Sequence, residues 1–152
     1  GSSADACHMV QPDPDGKGAA LAFRNALAQA GLEPQDIDYI NAHGTGTTLN
    51  DQIETAVVKE VFASHSNNLP ISSTKWAHGH MLGAAGAVEL IATVMALIHD
   101  TIPPTMNLND PDPLCDLDYV PNQPRQQALK VAISDSLGFG GHNAALIVRK
   151  LG

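Results

Sequence analysis

The chain has 152 residues, 43% of them hydrophobic, and carries 16 acidic against 8 basic side chains for a formal net charge of −8. Its size and apolar fraction suit one soluble globular domain, and the negative charge disfavours nucleic acid and anionic membrane surfaces as partners. Cys7 and Cys115 lie in unrelated contexts without metal-type spacing, so no disulfide framework or zinc site is indicated and a reducing cytoplasm is the expected location.

The segment 4–16, with Pro12, Pro14 and Gly16, reads as a loop. A helix follows over about 17–30, with Leu21, Phe23 and Leu27 among alanines, and Gly31 stops it. Residues 37–41 read as a short strand entering the turn His43-Gly44-Thr45-Gly46-Thr47, after which Asn50 or Asp51 can cap a second helix. In that helix Ile53, Val57, Val61 and Phe62 repeat at helical spacing.

A strand is expected over 69–74, a polar turn over 75–80, and a long helix over 81–99 that is apolar nearly all round and therefore expected to be buried. Its longest apolar run, 84–98, is interrupted by Glu89 and falls short of a membrane span. No basic-then-apolar leader opens the chain; its start at Gly1-Ser2-Ser3 without an initiator methionine suits a tag remnant or a start within a longer protein. The proline-rich stretch 102–124 reads as an extended loop with room for a short strand near 118–120. Segments 129–136 and 144–150 read as strands of a hairpin. The fold class is α/β, a mixed sheet covered by helices in one domain over 1–152.

Three turns at strand ends carry polar chemistry, where α/β sheets place their sites. The first holds His43, the second Lys75, His78 and His80, and the third Phe139 among glycines. His80 precedes the long helix, whose amino-terminal dipole disfavours a charged imidazole; a neutral ring there can donate a hydrogen bond to a developing enolate oxygen, or simply cap the helix. Glu89, alone in an apolar helix, must be paired or protonated, with Lys75 as the nearest candidate partner. His78 and His80 lack the further ligands of a metal site. Gly44 and Gly46 lack the third glycine or the lysine of a nucleotide loop. Neither a metal nor a cofactor is expected.

Taken in order, residues 41–47 (Asn-Ala-His-Gly-Thr-Gly-Thr), Asn50-Asp51, residues 72–75 (Ser-Ser-Thr-Lys), residues 79–86 (Gly-His-Met-Leu-Gly-Ala-Ala-Gly) and residues 138–143 (Gly-Phe-Gly-Gly-His-Asn) closely resemble the successive motifs of β-ketoacyl-acyl-carrier-protein synthases of the type II fatty-acid class. The resemblance extends to residues 110–113 and 115–121 and so covers essentially the whole chain. It implies a thiolase-like fold of two similar halves, each with a five-stranded sheet, of which this chain is the second; the first half, which carries the nucleophilic cysteine, is absent, and the complete enzyme is a dimer. It implies that His43 and His80 are the catalytic histidines, Lys75 the lysine, Glu89 its partner, and Phe139 a gate flanked by Gly138 and Gly140. Thr45, Thr47 and Asp51 match the surroundings of the site.

The implied reaction is a decarboxylative Claisen condensation between an acyl-enzyme and malonyl carrier protein, with acyl carrier protein as partner. This chain shows no basic cluster for that acidic partner. Cys7 is followed by His8-Met9-Val10, not by the small residues of a nucleophile elbow, and Cys115 sits in the proline-rich loop, so condensation by the chain alone is not expected. Asp135 and Leu137 stand where housekeeping enzymes commonly have asparagine and phenylalanine, and His78 and His142 where threonine is frequent; nodulation-type and polyketide synthases have patterns closer to this one. A chain-length factor, a decarboxylase or a non-catalytic partner half are the competing readings.

Overall fold

The computed structural model describes residues 1–151. In chain order the elements are β1 (Ser2–Ala4), α1 (Lys17–Ala30), β2 (Tyr39–Asn41), α2 (Thr48–Phe62), β3 (Ile71–Ser72), α3 (Lys75–His78), α4 (Ala85–His99), β4 (Thr101–Ile102), β5 (Arg125–Gln126), β6 (Val131–Gly138) and β7 (His142–Arg149). Five strands form one mixed sheet in the order β1-β7-β6-β2-β3, and β4 pairs with β5 in a separate ribbon. β2 runs parallel to both β3 and β6, with Asn41 opposite Ser72 and Ser134. β6 and β7 form an antiparallel hairpin from Val131↔Arg149 to Gly138↔His142.

One face of the sheet is covered by α1 and α2. Helix α1 turns Ala19, Ala20, Phe23, Ala26 and Leu27 inward, and α2 does the same with Ile53, Val57, Val58, Val61 and Phe62. Phe23 and Phe62 meet edge to face at 5.8 Å between ring centroids, closing the core between the two helices. α1 ends where Gly31 takes φ 63°, its amide reaching back to Ala28, as the sequence indicates.

The opposite face carries α4, and here the expectation fails. Leu82–His99 forms a helical run of 18 residues with a mean hydropathy of 1.8, long and apolar enough by length and composition to cross a membrane. Yet it packs on the sheet through a narrow stripe, Ala85, Glu89, Thr93, Ala96 and Leu97. Ile91 (63% exposed), Ile98 (56%) and Met95 (46%) face outward together with Leu82. The sequence argument took an all-round apolar helix to be covered all round; within this chain only one side is. Glu89 in the packed stripe marks the helix as an element of this domain.

Other boundaries also shift. Asn50 and Asp51 do not cap α2, which starts at Thr48 after Thr47 in extended conformation; both lie in its first turn. Leu82–Ala84 form a short 3-10 turn before α4. Residues 118–120 are not a strand, since Val120 takes φ 46°, although the Asp118 carbonyl accepts the Ile71 amide. β1, β4 and β5, each three residues or fewer, are strands that the sequence does not indicate.

Candidate active site

The three parallel strands end at the same edge of the sheet, which places their turns together. β2 leads to His43, β3 to Lys75, and β6 to Phe139. The first two turns are tied directly: Ser73 Oγ donates to the Gly44 carbonyl at 2.8 Å.

His43 is 6% exposed. Its Nδ1 lies 3.3 Å from Lys75 Nζ. Lys75 in turn pairs with Glu89, a short contact between two buried side chains. An ammonium can only donate, so Nδ1 of His43 is the acceptor and the ring proton sits on Nε2. Burial, then the charge of Lys75, then His80, push the His43 imidazole down to about 3, so it is neutral over the physiological range.

His80 comes from a different element and is exposed at the surface of this chain, its ring 5.5 Å from that of His43 and nearly perpendicular to it. Its Nδ1 accepts the Leu82 amide at 3.3 Å, which again leaves the proton of a neutral ring on Nε2. His80 does not stand at the amino terminus of the long helix, where the sequence places it. α4 begins only at Ala85, so His80 is oriented by the amide of the intervening 3-10 turn and does not sit on the first turn of the helix. His78 is held by Thr74 Oγ1 at 3.2 Å and by the Gly79 carbonyl at 2.7 Å.

Thr45 and Thr47 bond to each other through their hydroxyls at 3.0 Å. Asp51 Oδ1 accepts from the Gly46 amide and from Asn50, and burial raises its carboxyl above the ordinary range. Phe139 stands 72% exposed on the turn between Gly138, the last residue of β6, and Gly140, which needs φ 79°. Neither imidazole lines the cavity of about 360 Å³ on the far side of the His43 turn, which is walled by Gly44, Asp51, Glu54, Cys115 and Tyr119.

Two side chains that the sequence analysis did not assign to the site lie directly beneath it. Glu54, one α2 turn beyond Asn50, accepts the backbone amides of His43 (2.8 Å) and Gly44 (2.9 Å), and also Asn50 Nδ2 (3.1 Å). Asp135, on β6, is 1% exposed and faces Glu54. Glu54 sits in a helix whose buried face was read from apolar spacing alone, and nothing local announces that its carboxylate reaches back under the turn.

Two imidazoles beside a buried lysine–glutamate pair thus stand together at the strand ends of a mixed sheet. Residues 1–109 match the family described as beta-ketoacyl synthase, C-terminal domain, and the chain belongs to that family. It is 51% identical over 146 residues to 3-oxoacyl-[acyl-carrier-protein] synthase 2 of Synechocystis, covering 96% of this chain and 35% of that protein. It is also 51% identical over 151 residues to nodulation protein E of a Rhizobium species, covering 99% of this chain and 37% of the relative. Among solved structures it superposes on the ishigamide ketosynthase/chain length factor with a TM-score of 0.94 at 39% identity, covering all of this chain and 37% of the other. A type II polyketide ketosynthase bound to its acyl-carrier protein gives a TM-score of 0.96 at 36% identity, covering 99% of this chain and 37% of that one. The chain thus spans little more than a third of the length of the relatives it matches.

Proposed function

We propose that this chain supplies the histidine half of a decarboxylative condensing site and works with an amino-terminal half that brings the cysteine nucleophile. The observation that carries the reading is the convergence of His43 and His80, each with Nδ1 engaged and Nε2–H free to donate.

Both donors would grip the thioester carbonyl oxygen of a malonyl group on acyl carrier protein. As the carboxylate leaves as carbon dioxide, the bonding pair moves into the enolate and negative charge gathers on that oxygen, where two preset N–H donors are worth most. The enolate carbon then attacks the acyl-thioester carbonyl on the partner half; the new carbon–carbon bond forms and the cysteine thiolate leaves. Burial, reinforced by the Lys75 charge, keeps His43 from taking up a proton, so the ring acts as a donor and not as a general acid. The Phe139 amide is proposed to steady the oxyanion on the acyl-cysteine, and its exposed ring to gate the acyl pocket. Thr45, half-buried, and Thr47, exposed, both on the turn after His43, are proposed to line the approach of the carrier arm.

Cys7 is exposed on the opening loop, and burial raises the Cys115 thiol, the opposite of what a nucleophile needs. The outward apolar face of α4 is proposed as the seat of the amino-terminal half. Kinship to nodulation and fatty-acid synthases at equal identity favours an acyl-carrier-protein substrate over any one acyl chain. The test is to incubate the chain with acyl and malonyl carrier proteins, with and without the amino-terminal half of such an enzyme. β-Ketoacyl product only in the paired reaction is expected; product from the chain alone, lost in Cys7→Ser, would overturn the reading.

A further inference from the structure

The buried pair beneath the His43 turn is unusual because both members are acids. Glu54 accepts three N–H donors: the amides of His43 and Gly44, and Asn50 Nδ2. Among the described residues neither oxygen of Asp135 receives a well-aligned hydrogen bond from an N–H or hydroxyl donor: the nearby His43 amide, which weakly favours the Asp135 anion, is directed to Glu54 at 2.8 Å. A carboxylate buried without donors is among the costliest groups a protein can hold, and a second carboxylate beside it adds repulsion. One proton shared between them removes both penalties, and the donor count says where it resides. Glu54 is stabilised as the anion by its amides, so the proton belongs to Asp135.

We propose that Asp135 positions the His43 turn by donating a carboxylic-acid hydrogen bond to Glu54, the carboxylate on which that turn is seated. Deprotonation of Asp135 sets two anions against each other, and the one able to move is Glu54, which would carry the His43 and Gly44 amides with it. Asp135 is then a positioning residue that acts on the imidazole through Glu54. The charged and titratable groups around the pair are few. From α2 they are Asp51, which disfavours a second charge, and Glu54 itself; from the turn after β2, His43; from α3, Lys75, whose charge partly favours the Asp135 anion. On β7 the residue opposite is Ala145. Burial and Glu54 outweigh Lys75, so the Asp135 carboxyl is held well above the ordinary carboxylate range.

The kinetic side of this inference rests on the catalytic role proposed for His43; the hydrogen bond itself does not. The test uses the full chain, labelled at its aspartate carboxyl carbons, paired with the amino-terminal half, as wild type, Asp135→Asn and Asp135→Ala. Infrared spectra at neutral pH are expected to show one labelled carboxylic-acid band in the wild type that Asp135→Asn removes. Asn keeps a donor that cannot ionise, so Asp135→Asn should retain turnover and lose the alkaline decline of the wild type. Asp135→Ala should lower kcat about tenfold with little change in KM. Absence of the acid band, its survival in Asp135→Asn, or identical alkaline profiles for wild type and Asp135→Asn would each overturn the proposal. If Asp135→Ala does not fold, the comparison of wild type with Asp135→Asn decides alone. An intact acid band in a wild type without turnover would support the hydrogen bond and sink the condensation reading instead.

Discussion

The two faces of the sheet are finished to different degrees. Under α1 and α2, nineteen buried apolar side chains join in one cluster. Under α4 the corresponding cluster has seven, and the helix turns Ile91, Met95 and Ile98 to solvent. The first face is a self-sufficient core. The second is a core cut open, and the catalytic candidates His80 and Phe139 are exposed while His43, Lys75 and Glu89 are already sealed. The difference teaches that the domain seals His43, Lys75 and Glu89 by itself while leaving His80, Phe139 and the outer face of α4 uncovered.

The comparison is broken most sharply at α4. The double variant Ile91→Glu, Ile98→Glu should leave the isolated chain folded and less prone to self-association, yet abolish both co-purification with the amino-terminal half and turnover. Retained assembly, measured by size-exclusion chromatography, would place the amino-terminal half's seat elsewhere. Next in size are core truncations followed by urea unfolding. Phe23→Ala should cost about 3–5 kcal/mol, while Ile91→Ala in the chain alone should stay within about 0.5 kcal/mol. Similar costs would mean that the two faces are equally complete.

Glu89→Gln leaves Lys75 buried without its counter-charge and should destabilise by about 3 kcal/mol or more. Unchanged unfolding would make the pair dispensable. His43→Ala in the assembled enzyme should lower kcat by about 10²–10³-fold, the loss typical of one donor to a developing oxyanion, without altering the melting temperature to match. The smallest effect is one of pH. His43 is depressed to about 3 in the folded chain from an ordinary 6.5, so the unfolded state binds its proton first. Its contribution to stability is intact above about 6.5 and is lost progressively as pH falls toward 3. His43→Gln should therefore flatten that part of the stability profile, and an unchanged slope would show the ring to be accessible to protonation.

Where local chemistry dictates structure, the sequence was legible. Gly31 ends α1 because the left-handed conformation there suits a residue without a side chain, and two strand segments joined by a glycine-rich stretch place the β6–β7 hairpin, although its turn is shorter than that stretch suggests. The pairing of Lys75 with Glu89 was readable from the cost of a lone carboxylate in an apolar helix. What escaped depends on partners distant in sequence. β1 is three small residues that become a strand only because β7 offers an edge, and β4 exists only against β5. Asp135 was visible as a departure from the family pattern, but its meaning required Glu54, which arrives from α2. The outward face of α4 was misjudged because hydropathy records what a surface prefers and not what is there to meet it.

The opening segment holds the Phe139 turn from behind. The Asp5 amide donates to the Gly141 carbonyl at 2.8 Å, Asn143 Nδ2 reaches Asp5 Oδ1 at 2.6 Å, and the Gly140 amide donates to Met9 at 2.7 Å. Gly141, at φ 73°, has no room for a side chain, since a Cβ there would fall 2.9 Å from that of Asp5. Residues 5–9 and 140–143 are therefore laced like two edges of one seam. A change in length in residues 5–9 would be transmitted to the Phe139 ring nearly the whole chain away, so the opening segment serves as the mechanical reference against which that turn is set.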